Sequence, residues 1–314
     1  MPLVLRRHPH NTVGWYRLGE WILARAPRRV SYAVCRAFGA RDVLFPTRHA
    51  AVIRGNLAAL RPDLDERARR ALARRTVWNY CDTLCDTFFV LRVDPGSVER
   101  HIAGYDGLER FLALEPGKRG VIVATAHLGA WEVGGVAFAR RGFPLAVVSA
   151  VDEDDEVERY RVETRRRLGV ETVSVGTDPL SAVRAVEWLR RGGLLALLVD
   201  RPLGGPAIEA SFLGRRTLVP SGYASLAIAS GAPILPAFVP REGPGRYRVV
   251  FEEPIRPPED SRGSRAAAVE GLVRRTLEVV ERRLRAHPDQ YFSPAPIFGE
   301  APAASRPVLR EVPA

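Results

Sequence analysis

Cysteine is scarce in this chain. The 314 residues hold three, Cys35, Cys81 and Cys85, an odd set with no C-x-x-C spacing, which excludes a disulfide scaffold. Cys81 and Cys85 stand four apart in a segment that reads as helix, so they share one packed face, and a reducing compartment is expected. Lysine is scarcer still: Lys118 is the only one. The formal charge of +11, from 47 basic against 36 acidic residues, is therefore almost wholly arginine. Such an excess calls for an anionic partner: a membrane surface, a nucleic acid or a phosphorylated ligand. Guanidinium groups suit bidentate binding of phosphate or carboxylate. A GC-rich coding bias would give the same arginine usage.

Several common chemistries lack their motifs. The chain has no G-x-S-x-G elbow, no H-E-x-x-H, no Walker loop and no G-x-G-x-x-G, so serine hydrolases, zincins and the common nucleotide folds lose their usual support. The arginines are scattered through helices, with no zinc-ligand set and no RNP-like aromatic strand, so no nucleic-acid partner is expected. Long apolar runs are missing as well. Arg17, Glu20, Arg25, Arg28 and Arg29 interrupt the N-terminal apolar residues, and neither a signal peptide nor its cleavage is expected. The longest uncharged stretch, Thr217 to Pro240, is broken by Pro220, Pro233 and Pro236 and reads as a buried helix plus a strand.

What is present is a composition typical of a soluble globular chain, 46% hydrophobic and 26% charged. Residues 12–38 set Val13, Trp15, Tyr16, Leu18, Trp21, Ile22 and Leu23 beside several arginines. That composition fits a helix lying at a membrane interface, and equally an amphipathic helix capping a domain. Asp63, with Glu66 three residues on, reads as a capping box that opens a long helix ending in the apolar stretch Tyr80 to Leu91. From Gly120 the pattern changes. Val121–Ala126, Leu145–Ser149, Leu194–Val199 and Ile234–Val239 read as buried strands, and Tyr247–Phe251 as a later one. Between them Glu156–Leu168 and Pro179–Arg191 read as helices, the second capped by Asp178, and Ser264–Ala286 carries an apolar stripe. The fold class is α/β. Residues 1–60 are expected to form an N-terminal amphipathic, membrane-associating segment, 61–298 the α/β domain and 299–314 a mobile tail.

The chemistry concentrates in Val121-Ile-Val-Ala-Thr-Ala-His127-Leu-Gly-Ala-Trp-Glu132, where an apolar strand runs straight into a histidine. His127 then sits at the C-terminal edge of a strand, where α/β proteins place catalytic groups, and a nearby carboxylate would fix its tautomer. In one continuous helix a spacing of five separates two side chains by about 140°, so Glu132 reaches His127 only if His127 lies in a turn, which Gly129 makes easy.

His127-Leu-Gly-Ala-Trp-Glu132 resembles the H-x4-[DE] motif of glycerolipid acyltransferases, in the form found in bacterial lipid A late acyltransferases and phosphatidylinositol mannoside acyltransferases. Other segments agree in order: Arg48 with Asn56-Leu57, Arg165-x-x-x-Gly169, Asp200-Arg201 with Phe212-x-Gly214, and His287-Pro-Asp-Gln-Tyr-Phe292. The resemblance covers roughly residues 10–298. Arg201 stands where many lipid A enzymes have glutamine, and Ile208-Glu209-Ala-Ser-Phe212 is closer to the mannoside pattern.

The resemblance implies a mixed sheet flanked by helices, an interfacial N-terminal segment and a peripheral place on the cytoplasmic face of the bacterial membrane. It implies acyl transfer from acyl-CoA or acyl carrier protein to a hydroxyl of a membrane lipid or glycolipid, with no metal and no further cofactor. His127 is then the general base, with Glu132 orienting it and Glu209 supplying or sharing the paired carboxylate. Gly129 and Trp131 belong to the substrate-binding set, with Arg165 as a ligand for an anionic group or a surface arginine. Asp200 and Arg201 either shape the pocket as a buried ion pair or touch substrate directly, and His287 and Gln290 brace the fold near the site. The uncharged Leu218–Pro240 segment, with Tyr223, Leu226 and Ile228, is the candidate lining for an acyl chain. The same residues would also serve a thioester hydrolase, or a catalytically silent membrane-binding protein.

Overall fold

The computed structural model describes residues 11–45, 47–152, 154–175, 180–202, 205–258, 264–293 and 295–298. The expected N-cap Asp178, the first-turn Pro179 and the tail 299–314 lie outside these.

Four helices precede the sheet: α1 (Val13–Arg25), α2 (Arg28–Leu44), α3 (Arg48–Leu60) and α4 (Glu66–Phe88). The segment 12–38 is thus two helices, because Pro27 cannot continue the first and caps the second. The N-cap of α4 is Asp65, whose carboxylate accepts from the Ala68 amide, while Asp63 is engaged by Arg61. The N-cap thus lies two residues beyond the expected one, and with Ala68 at the third helical position no capping box forms there. Cys81 and Cys85 are buried on α4.

A π-helical turn, Phe89–Val93, leads to α5 (Val98–His101), β1 (Ile102–Asp106), α6 (Leu108–Leu112), β2 (Val121–Thr125) and α7 (Trp131–Arg140). There follow β3 (Leu145–Ala150), α8 (Asp155–Arg167), β4 (Val170–Val175), α9 (Ser181–Arg190) and β5 (Leu194–Leu198). The chain then forms β6 (Ala207–Phe212), β7 (Arg215–Pro220), α10 (Gly222–Ser230), β8 (Ile234–Phe238), β9 (Arg241–Gly243), β10 (Arg246–Phe251) and α11 (Arg265–Ala286).

The main sheet has the order β1-β10-β8-β2-β5-β3-β4, with β9 paired to β10, and β6 with β7 stands apart as a hairpin. From β8 to β4 the strands are parallel, whereas β10 runs antiparallel to β8. All five residues of β2 are buried, as expected for a central parallel strand covered on both faces. Its alternation splits the interior: Ile122 and Ala124 join α3, α4, α9, α10 and α11 on one face, and Val121 and Val123 join α7 on the other.

One consequence of the register positions everything that follows. β2 and β5 are neighbours, with Thr125 opposite Leu198, so residues two positions beyond each strand emerge side by side about 5 Å apart. Those residues are His127 and Asp200.

Candidate active site

His127 leaves β2 in a turn that is held from two sides. The Phe292 amide donates to the His127 carbonyl at 3.1 Å, the Gly129 amide to the Gln290 carbonyl at 3.2 Å, and the Ala130 amide to the Val239 carbonyl at 2.9 Å. Gly129 is required here: its φ is +62°, and a Cβ on it would lie 2.1 Å from the Val239 oxygen. The H-P-D-Q-Y-F segment is thus the other half of the site's frame. Gln290 fastens it to β9, accepting from the Arg241 amide at 2.7 Å and donating to the Arg241 carbonyl at 2.9 Å. Tyr80 of α4 stacks on Phe292 with ring centres 3.6 Å apart.

Both ring nitrogens of His127 are engaged. Nδ1 lies 3.0 Å from each carboxylate oxygen of Asp200, which is 1% exposed, and Tyr291 Oη donates to Asp200 Oδ2 at 3.1 Å. Burial alone would raise the Asp200 pKa, but the neighbouring His127 and then Arg201 outweigh it and hold the carboxyl below the usual carboxylate range. Burial and the Asp200 charge push the Tyr291 phenol well above its ordinary value, so it stays protonated as a donor. With Asp200 ionised, Nδ1 carries the proton and the free lone pair is on Nε2. Arg201 Nη2 donates toward that lone pair at 3.4 Å. The Trp131 ring meets the imidazole edge to face, centres 5.2 Å apart.

Asp200 is therefore the carboxylate on His127, and the expectation that Glu132 or Glu209 fills that place is corrected. Glu132 opens α7 beyond the turn, and no hydrogen bond to it is made among the described residues. Its charge acts instead on Arg165 of α8. Burial and the adjacent Arg161 hold the Arg165 guanidinium below its ordinary value, with Glu132 acting in the opposite sense. Arg165 Nη1 is buried without a hydrogen-bond partner.

Glu209 sits on the β6–β7 hairpin with its side chain 66% exposed, paired with Arg216 at 2.9 Å. A surface pair of this kind contributes little, so Glu209→Gln is expected to leave kcat/KM for the acyl transfer discussed below within about twofold of the parent. A larger loss in a steady-state assay would return this residue to the site.

A cavity of about 520 Å³ opens beside Arg201, between α9, α10 and the carboxyl ends of β3, β4 and β5. Val148, Val173, Val186, Leu197, Tyr223 and Leu226 line it, and Arg201 stands at its wall. Of the residues expected there, Tyr223 and Leu226 line this space, whereas Ile228 packs against the core. The volume falls in the ordinary range for a ligand pocket, about 300–1,000 Å³. Among the described residues, no group of three or more His, Cys, Asp or Glu side chains is arranged to hold a metal ion.

The arrangement can remove a proton from a hydroxyl at Nε2, store the positive charge against Asp200, and accommodate a long apolar chain alongside. The residues missed by reading the sequence are Tyr291 as a partner of Asp200 and Arg241 as the anchor of Gln290. Tyr291 lay in a segment already singled out, while nothing local marks Arg241.

Comparison with known proteins points to acyltransferases. A phosphatidylinositol mannoside acyltransferase of Mycolicibacterium smegmatis is 29% identical over 184 residues, covering 58% of this chain and 60% of that protein. A phosphatidylinositol mannoside acyltransferase of Mycobacterium tuberculosis is 30% identical over 150 residues, 47% of this chain and 46% of that protein. The matches thus span about half the length of these relatives. The model of the bacterial lipid A biosynthesis acyltransferases matches residues 4–293, nearly the whole chain, and the chain belongs to that family.

Proposed function

We propose that the protein transfers a fatty acyl group from a thioester donor, acyl-CoA or acyl carrier protein, to a hydroxyl of a glycolipid at a membrane surface. The observation that carries this is the His127–Asp200 pair, linked by Arg201 to the 520 Å³ apolar cavity that Arg201 lines. The acyl chain occupies the cavity and brings the thioester carbonyl beside Nε2. His127 takes the proton of the acceptor hydroxyl as its oxygen attacks the carbonyl carbon. The tetrahedral intermediate then collapses, the C–S bond breaks, and the thiolate leaves with the proton held on Nε2. The names of the relatives favour an inositol-linked mannoside as acceptor. The unpartnered buried Nη1 of Arg165 suits a phosphate on such a lipid.

Membrane attachment rests on the N-terminal helices. Trp15, Leu18 and Trp21 of α1 and Val30, Phe38 and Leu44 of α2 are exposed, and Trp15 meets Phe38 with ring centres 6.2 Å apart, joining the two faces. Arg25 covers Trp21 at 5.0 Å. Exposed aromatics among arginines suit the headgroup layer of an anionic bilayer. No helix among the described residues is long and apolar enough to cross a membrane. Replacing Trp21 and Phe38 together by Ser is expected to weaken co-sedimentation with anionic vesicles at least about tenfold, since each loses roughly 1–2 kcal/mol of buried apolar surface. Unchanged sedimentation would remove this face from the account.

The function itself is tested by thiol release from palmitoyl-CoA with and without lysophospholipid, mannoside and other glycolipid acceptors. Release stimulated by one acceptor class, with acylated acceptor as product, is the expected result. Release indifferent to every acceptor would mark a thioester hydrolase. Vesicle binding with no thioester cleavage from acyl-CoA or acyl carrier protein would mark a silent binder.

A further inference from the structure

Arg201 is a cation that no anion hydrogen-bonds among the described residues, although its charge is felt by the neighbouring Asp200. Its guanidinium makes a single hydrogen bond among the described residues, the 3.4 Å contact with His127 Nε2, and no ion pair. Its Nε is buried with no partner. Arg28 is matched with Asp86 and Arg241 with Asp82, whereas Arg165 of α8 also has a buried nitrogen without a partner. The carboxylate nearest in sequence, Asp200, is already taken by His127 and Tyr291. A guanidinium held against an imidazole with no hydrogen-bonded anion, at the wall of an apolar cavity, is costly to maintain. The reaction supplies the missing partner, because negative charge develops on the thioester oxygen within reach of the same imidazole.

The contact also has a kinetic consequence. The Nε2 lone pair that must take the acceptor proton is covered by an Arg201 N–H, so the guanidinium has to leave before the base can act. We propose that Arg201 is a catalytic cation with two positions: on Nε2 of His127 in the free enzyme, and on the thioester carbonyl oxygen once the acyl donor is seated. Seating the donor uncovers the base at the moment the electrophile is present. During attack the acceptor O–H bond breaks to Nε2, the new O–C bond forms, and the carbonyl π pair moves onto the oxygen that Arg201 holds. On collapse that pair returns, the C–S bond breaks and the proton on Nε2 follows the thiolate. The inference rests on the acyl-transfer reading above.

The test uses the full chain with Arg201→Met, which keeps the bulk and removes the charge, and Arg201→Lys. Three quantities are read: kcat with palmitoyl-CoA and acceptor, the Kd of the unreactive thioether analogue of palmitoyl-CoA, and the rate of His127 carbethoxylation by diethyl pyrocarbonate, followed by peptide mass spectrometry. The Met variant is expected to lose about 10²–10³ in kcat, as for removal of one oxyanion donor. Its analogue Kd should stay within about threefold, because the thioether has no carbonyl oxygen for Arg201 to hold and reports only the binding of the chain and carrier. His127 modification should quicken about tenfold once the charged hydrogen bond to Nε2 is gone, and the Lys variant should fall between Met and the parent in kcat. A kcat within a few-fold of the parent, a loss of kcat matched by an equal loss of analogue affinity, or an unchanged modification rate would each overturn the proposal. If the Met variant does not fold, the Lys variant decides it by the same split between kcat and analogue Kd. Failure of the acyl-transfer reading would show differently, as absence of acceptor-stimulated release in the parent protein, and the carbethoxylation rates would still report whether Arg201 covers Nε2.

Discussion

Replacing His127 by Ala is expected to lower kcat for acyl transfer by about 10²–10⁴, the usual contribution of a positioned general base. The donor should bind nearly as before, because the apolar residues that line the cavity belong to β3, β4, β5, α9 and α10 and His127 is not among the lining residues. The fold should also survive. The turn is held by backbone hydrogen bonds from Phe292, to Gln290 and to Val239, none of which uses the His127 side chain. Kinetics with palmitoyl-CoA and the best acceptor, beside the Kd of the thioether analogue, separate the two effects. A variant retaining a tenth or more of the parent kcat would show that another group takes the proton.

Asp200→Asn carries the second large effect and exposes the reason for the pair. Asparagine can present an amide N–H to Nδ1, which forces the ring proton to Nε2 and leaves the lone pair facing the wrong way. The corresponding exchange in a serine-protease triad costs about 10⁴ in kcat through the same wrong tautomer, and a loss of about 10²–10⁴ is expected here. The variant has a stability signature with a definite sign. Asp200 is held below the usual carboxylate pKa, so its ionised form stabilises the folded state above the unfolded value of about 3.9 and that stabilisation is lost as pH falls through the lower, folded value. The gap in unfolding free energy between parent and Asp200→Asn is therefore present at neutral pH and narrows below about pH 4. Urea unfolding at several pH values measures it. A gap that widens on acidification would contradict the assignment of Asp200 as the ionised partner.

Much of this architecture is legible in the sequence, and the failures have a common cause. The buried strands β2, β3, β5 and β8 announce themselves as apolar runs, since a parallel strand covered on both faces has nothing polar to show, and β10 by its alternation. The β6–β7 hairpin lies away from the sheet with exposed charged residues, so the same signal is absent. His127 was visible because its strand points at it. Its partner was not, because Glu132 lies five residues away and Asp200 lies 73 away. Local spacing favours the near carboxylate, whereas the fold decides by strand adjacency. The information existed in pieces: two apolar strands, each followed two residues later by a titratable group. Only the pairing of Thr125 with Leu198 turns those two observations into one site. Glu209 entered through family resemblance, and its place on an exposed hairpin beside Arg216 separates it from the imidazole.

Glu132 keeps a role in this account through Arg165 rather than through His127. In the proposed reaction Arg165 binds the anionic acceptor, so removal of the acidic group that acts on it should appear mainly in the acceptor KM. In the same proposal Asp200 acts on the base itself, so its removal should appear in kcat. The most direct measurement of the central claim is therefore kcat at saturating donor and acceptor for Asp200→Asn beside Glu132→Gln. The account predicts that the Asp200 variant falls at least about tenfold further than the Glu132 variant, as the loss of a tautomer-fixing partner requires. A kcat lost in Glu132→Gln and kept in Asp200→Asn would contradict it.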